Sequence, residues 1–236
     1  MKNIEICGAK EFERDFINKV LEMLQKNYSD VIDISKLQKI EIVDELSGGS
    51  SGRAIRYNII LPRKLCLEIL TDVDEFELED MRLKNVISVI FHELWHVSTY
   101  ERYKDMYEYV YDETTNEITA VSYVYWIEYI AHEDTVFMED VNVMKKFCFE
   151  FVRTDWLYIE DGYMHFIKGL AYYLVRSEYL NILEEMSQRI TCKELRKEIH
   201  EIDILSQELF ARKDISDMEK ANFIRKHIKN VLKKMF

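Results

Sequence analysis

One proline and six glycines in 236 residues leave few places that invite a break, so long uninterrupted helices are expected. The four cysteines, Cys7, Cys66, Cys148 and Cys192, form no C-x-x-C pair and are widely spaced. That argues against a thiolate metal site and against a disulfide framework; reduced, mostly buried thiols are expected. No apolar run approaches the roughly 18 residues that would span a bilayer, and the first residues, "MKNIEICGAKEFERDF", lack the apolar core of a signal peptide. A cytoplasmic protein without a membrane partner is therefore expected. Positive charge is also scarce: the formal net charge is −12, which opposes a nucleic-acid footprint, since phosphate backbones need clustered Lys and Arg. The exception is "NFIRKHIKNVLKKMF" at the end of the chain, where apolar residues recur at helical spacing between the cations. An amphipathic helix with cations near its C-terminus accounts for it.

Apolar residues, at 48%, are ample for a core. "AKEFERDFINKVLEMLQKNY" sets Phe12, Phe16, Val20, Leu21 and Leu24 on one side of a helix. Two β-branched runs follow, "KIEIVDEL" (39–46) and "AIRYNIILP" (54–62), and the cluster "SGGSSGR" between them suggests a β-hairpin loop. Pro62 marks a strand end or an edge. From about residue 113 the chain has helical periodicity, with breaks expected at "DETTNE", "AHEDT", "IEDG" and "RKDISD". The order of helix, hairpin and then helices implies an α+β fold. Residues 1–135 are expected to form its core and 136–236 a helical C-terminal region.

The most informative segment is "NVISVIFHELWHVSTYER" (85–102). At 100° per residue, Asn85, Ser88, His92, His96 and Thr99 fall in a sector of about 80°, while apolar side chains fill the rest. It is a buried helix with one polar stripe. His92 and His96 project from successive turns of one face and can reach one ion; Glu93 lies beside them. H-E-x-x-H on a helix is the zinc-hydrolase pattern, in which two imidazoles hold Zn²⁺ and the glutamate takes a proton from the activated water. Burying three such side chains without a metal or partners would cost several kcal/mol.

The string "FHELWH", set after a hairpin and before a glutamate-bearing helix, resembles the zincin metallopeptidases of the gluzincin branch. The metzincin extension would need Gly at 99 and His at 102, where this chain has Thr99 and Arg102. The resemblance implies a zincin-like core, a zinc cofactor, a protein or peptide substrate, and Glu93 as general base that later delivers the proton to the leaving amine.

A third ligand is expected from the next helical segment. Glu113, Glu117 and Glu128 follow His96 with 16, 20 and 31 residues between. Spacing favours Glu117, as in thermolysin-like enzymes, whereas surroundings favour Glu128. Glu117 lies near an acidic helix start, a comfortable position for a carboxylate; Glu128, in "VSYVYWIEYIAHEDT", is a lone carboxylate on an aromatic and apolar helix and requires a partner. At about 16 Å along one axis, the two cannot share an ion. "WIEYIA" is also similar to the E-x-x-A ligand helix of ImmA/IrrE-type peptidases and their phage-associated relatives. That implies Glu128 as ligand and Ala131 as a close-packing residue, although His132 stands where that family often has Asn.

By the same resemblance, an edge strand, with "IRYNIIL" as the candidate, would receive the substrate as an added strand. Relatives of this type cleave regulators of mobile elements or stress responses. Tyr125, His132 and His165 are candidates for oxyanion stabilisation, and the tyrosine-rich stretch 100–113 suits either a lip of the cleft or a packed helix end. The alternative function is a non-catalytic, zinc-stabilised helical interaction protein. The presence of Glu93 disfavours it, because a structural site needs no base.

Overall fold

A computed structural model of the chain describes residues 4–46, 50–67, 81–112, 117–153 and 162–235. The acidic stretch at 71–80 and Glu113 lie outside them. Among the described residues the fold is α+β, with a four-stranded sheet and nine α-helices. It divides into two compact units, Met1–Arg102 with Phe137–Asp140, and Tyr103–Val136 with Val141–Phe236. No helix among the described residues is long and apolar enough to cross a membrane.

In the first unit the strands β1 (Glu5–Cys7), β2 (Lys39–Val43), β3 (Arg53–Ile55) and β4 (Asn58–Pro62) are ordered β1-β2-β4-β3. β1 and β4 both run parallel to β2, and β3 is antiparallel to β4. The expected hairpin between 39–46 and 54–62 is therefore corrected: β2 and β4 are parallel neighbours, with Ile40 opposite Ile59 and Ile42 opposite Leu61. The true hairpin lies inside "AIRYNIIL", where Ile55 pairs with Asn58 and the chain reverses over Arg56 and Tyr57. Arg56 takes φ +54° there, so a turn forms with no glycine, proline or asparagine at its centre to announce it. A second correction follows. "IRYNIIL" spans this turn and the central strand β4, and β3 is the edge. Pro62 does end its strand.

Helix α1 (Glu11–Asn27) buries Phe16, Ile17, Val20, Leu21 and Leu24, with Ile40, Ile42, Ile59 and Leu61 supplying the buried alternation of β2 and β4. Helix α2 (Met81–Thr99) packs on β3, β4 and the turn at Ile34–Lys36. Its end is pinned to that turn: Ser98 Oγ accepts from the Asp33 N–H at 2.7 Å, and Lys36 Nζ donates to the Ser98 carbonyl at 3.0 Å.

The second unit is helical. It comprises α3 (Lys104–Asp112), α4 (Ile118–Thr135), α5 (Val141–Arg153), α6 (Gly162–Tyr179), α7 (Leu183–Gln188), α8 (Lys193–Ala211) and α9 (Asp217–Met235). α4 is at its centre, packed by α3, α6 and α9, and every side chain from Ala120 to His132 is buried. A helix apolar nearly all round must be enclosed in this way. The break expected at "RKDISD" separates α8 from α9, whereas "AHEDT" is no break: α4 continues through it, with Thr135 Oγ1 donating to the Ala131 carbonyl at 2.7 Å; most of "DETTNE" and of "IEDG" lies outside the described residues. In α9, Ile224, Ile228 and Val231 are buried at helical spacing, as the amphipathic pattern requires, but Phe223 is exposed. Among the described side chains Cys148 is buried and Cys7 half-buried, while Cys192 is exposed and departs from the expectation of mostly buried thiols; Cys66 lies outside them.

Candidate metal centre

Of the residues singled out in the sequence, His92, Glu93 and His96 lie on α2 of the first unit and Glu128 on α4 of the second. On α2 the hydroxyls of the polar stripe turn back on the helix: Ser88 Oγ donates to the Asn85 carbonyl and Thr99 Oγ1 to that of Trp95, both at 2.8 Å. His92 and His96 instead face each other, with Nε2 atoms 3.0 Å apart and rings edge to face at 4.7 Å between centroids. Four residues make slightly more than one turn, so the two rings reach one point from successive turns. Two ligand nitrogens of a tetrahedral zinc would stand about 3.3 Å apart, given Zn–N bonds of roughly 2.0–2.1 Å. The pair fits that spacing with a small ring rotation.

Glu93 is only 7% exposed and is no surface acid. It lies against Gly52, the residue before β3. A Cβ added to Gly52 would fall 2.8 Å from Glu93 Oε1 and 2.9 Å from Cγ. The small residue thus permits a close approach between backbone and carboxylate. In the sequence the "SGGSSGR" cluster announced only a loop.

On α4, Glu128 and His132 occupy one face a turn apart, and both are buried. Lys168 Nζ on α6 lies 2.8 Å from Glu128 Oε1, and His132 Nε2 lies 3.9 Å from Oε2. The Tyr172 ring on α6 packs on the His132 ring at 4.1 Å. The apolar surroundings of Glu128 had called for a partner; Lys168, forty residues on, carried no motif that would name it.

Glu117 is committed elsewhere. It is the N-cap of α4, and its Oε2 accepts from the Thr119 and Ala120 N–H groups at 2.8 and 3.0 Å and from Tyr109 Oη at 3.3 Å. Burial raises its pKa, but these hydrogen bonds outweigh burial and hold it below the ordinary glutamate range. Among the oxyanion candidates, Tyr125 is fully buried with Oη 2.8 Å from Ser206 Oγ, so it is a core residue. His165 is half-buried on α6, one turn before Lys168. From Tyr100 to Met106 the tyrosine-rich stretch contributes Tyr100, Tyr103 and Met106 to the core, as a packed helix start does, while Tyr111 is exposed.

No family model, curated protein or solved structure matches the chain.

Proposed function

We propose that the chain is a zinc-dependent metallopeptidase in which His92, His96 and Glu128 hold the metal and Glu93 is the general base. The observation that carries this reading is the convergence of the His92 and His96 Nε2 atoms on a helix whose intervening carboxylate, Glu93, is buried. Two imidazoles and a carboxylate suit zinc in a catalytic site, where three protein ligands leave a position open. Glu128 is preferred to Glu117 because the latter's carboxylate already caps a helix. Residues 1–135, expected as the core of this reading, include α3 and α4 of the second unit.

When bound, the ion supplies Lewis acidity. The chain does the rest. Glu93, buried beside Gly52, takes the proton of the attacking water on its carboxylate and passes it to the leaving amine. An extended peptide or protein segment is the substrate. The edge strand β3, preceded by Gly52, is where such a segment would pair. A charge of −12 disfavours nucleic acid as a partner, and the cytoplasm is the compartment this reading assigns. The burial of Glu93 on the helix that carries His92 and His96 favours a peptidase over a zinc-stabilised interaction protein, which has no use for a base.

Metal analysis tests the reading. Wild type and Glu93→Gln should each carry one zinc, with hydrolysis absent in the variant, and Glu128→Ala should lose the metal. Wild type without zinc after metal-replete purification would end the proposal; zinc retained in Glu128→Ala would remove Glu128 from the ligand set.

A further inference from the structure

The carboxylate assigned to the metal already has a cation. Lys168 Nζ lies 2.8 Å from Glu128 Oε1, while Glu128 itself is nearly enclosed on the central helix of its unit. An ionised carboxylate among apolar and aromatic side chains is costly without compensation, and Lys168 on α6 places a positive charge beside it. The Lys168 side chain is 52% exposed, so its ammonium can swing into water at small cost. A closed, dry ion pair would not release so readily.

We propose that Lys168 is a built-in competitor of the metal: it holds Glu128 in place in the metal-free protein, opposes entry of a divalent cation, and keeps the bound metal exchangeable. This rests on the reading of Glu128 as a ligand. An ammonium beside a ligand oxygen repels an incoming dication. Whatever the Lys168–Glu128 pair contributes to the metal-free state is also lost when the metal takes the carboxylate, and by linkage that contribution is subtracted from metal affinity. A neighbour that only buttresses a ligand acts in the opposite sense, and its removal weakens metal binding by roughly 10- to 100-fold. The two roles differ in sign.

Lys168→Met keeps the apolar stem and removes the charge. Zinc affinity, measured by competition with a chromogenic chelator, should rise roughly fivefold, the scale expected of one partly exposed ion pair. The metal-free variant should melt below metal-free wild type. A double-mutant cycle with Glu128→Gln, followed by thermal unfolding without metal, should be non-additive, since either single change already breaks the pair. Unchanged or weaker zinc binding by Lys168→Met, or an additive cycle, would overturn the proposal and leave the peptidase reading standing. If neither wild type nor Lys168→Met binds zinc, both readings fall together; zinc bound by Lys168→Met alone would support the competition directly.

Discussion

Glu93 occupies the space that a side chain at position 52 would need: a Cβ built on Gly52 would fall 2.8 Å from Glu93 Oε1 and 2.9 Å from Cγ. Nothing in the Gly52 backbone itself demands glycine, since its φ is not in the left-handed region. The constraint is the neighbour. Gly52→Ala is therefore expected to displace the Glu93 carboxylate while leaving His92 and His96 in place. On the peptidase reading kcat should fall by about 100-fold, the scale of an ångström-sized misplacement of a reacting group, with zinc content unchanged. Thermal unfolding should show about 1–3 kcal/mol of overpacking strain. The same substitution in a Glu93→Asp background, where the carboxylate is one methylene shorter, should destabilise less. Equal destabilisation in the two backgrounds would detach Gly52 from Glu93.

Glu117 offers a contrast between stability and metal binding. Its carboxylate closes the N-terminus of α4 through two backbone N–H groups, so Glu117→Ala should cost about 1 kcal/mol of stability, with zinc binding unaffected. Its folded pKa is depressed, so the stabilisation is present above the unfolded pKa and is lost as pH falls through the lower folded value. Wild type and Glu117→Ala should therefore converge in melting temperature in acid. Loss of zinc from Glu117→Ala, measured by metal analysis, would return Glu117 to the candidate ligands.

How much of this was legible in the sequence depends on the range of the interaction. The α2 site was legible because H-E-x-x-H is local: helical geometry alone brings His92 and His96 together, and the uniform apolar surface around them implies burial. Competition between Glu117 and Glu128 was legible for the same reason, since a capping carboxylate and a buried one differ in their immediate neighbours. Sheet topology was not. The β3–β4 turn is made by Arg56 and Tyr57, residue types that no turn rule flags, and the parallel pairing of β2 with β4 depends on contacts far apart in sequence. Gly52 and Lys168 escaped notice because each acquires its role from a partner about forty residues away.

Arg63 ties the first unit together at the end of β4. Its Nε donates to Glu13 Oε1 at 2.9 Å, Nη1 to Asp44 Oδ1 at 2.6 Å and Nη2 to the Gly8 carbonyl at 2.7 Å. Glu13, 1% exposed, also accepts from the Lys10 N–H at 2.7 Å, at the start of α1. Removing the guanidinium leaves a buried carboxylate with too little compensation. Arg63→Met should therefore cost about 2–4 kcal/mol in denaturant unfolding, somewhat less than a fully buried pair because Arg63 retains some exposure. Arg63→Lys should recover little of this, since a single ammonium cannot reach three acceptors in a fixed fork. Full recovery by lysine would mean that charge alone matters here.

Asp203 gives the second unit a pH dependence of the opposite sign to that of Glu117. It is 3% exposed on α8; Oδ2 accepts from Gln207 Nε2 at 3.2 Å, and Oδ1 is buried without a hydrogen-bond partner. Burial, then the carboxylates of Glu178 on α6 and Glu133 on α4, push its pKa up to about 7. In the unfolded chain an aspartate titrates near about 3.9. Between these values the unfolded state has released its proton and the folded state has not, so the folded state binds more protons and stability falls as pH rises. Below the unfolded value both states are protonated; above the folded value the penalty is complete and constant. Asp203→Asn is neutral throughout. It should flatten the decline in melting temperature from roughly pH 4 to 7 and unfold at a higher temperature than wild type at pH 8, with the two closest together in acid. Circular-dichroism melts across that range decide the matter: an unchanged slope in Asp203→Asn would mean that another group, with Glu133 the first to test, carries the titration.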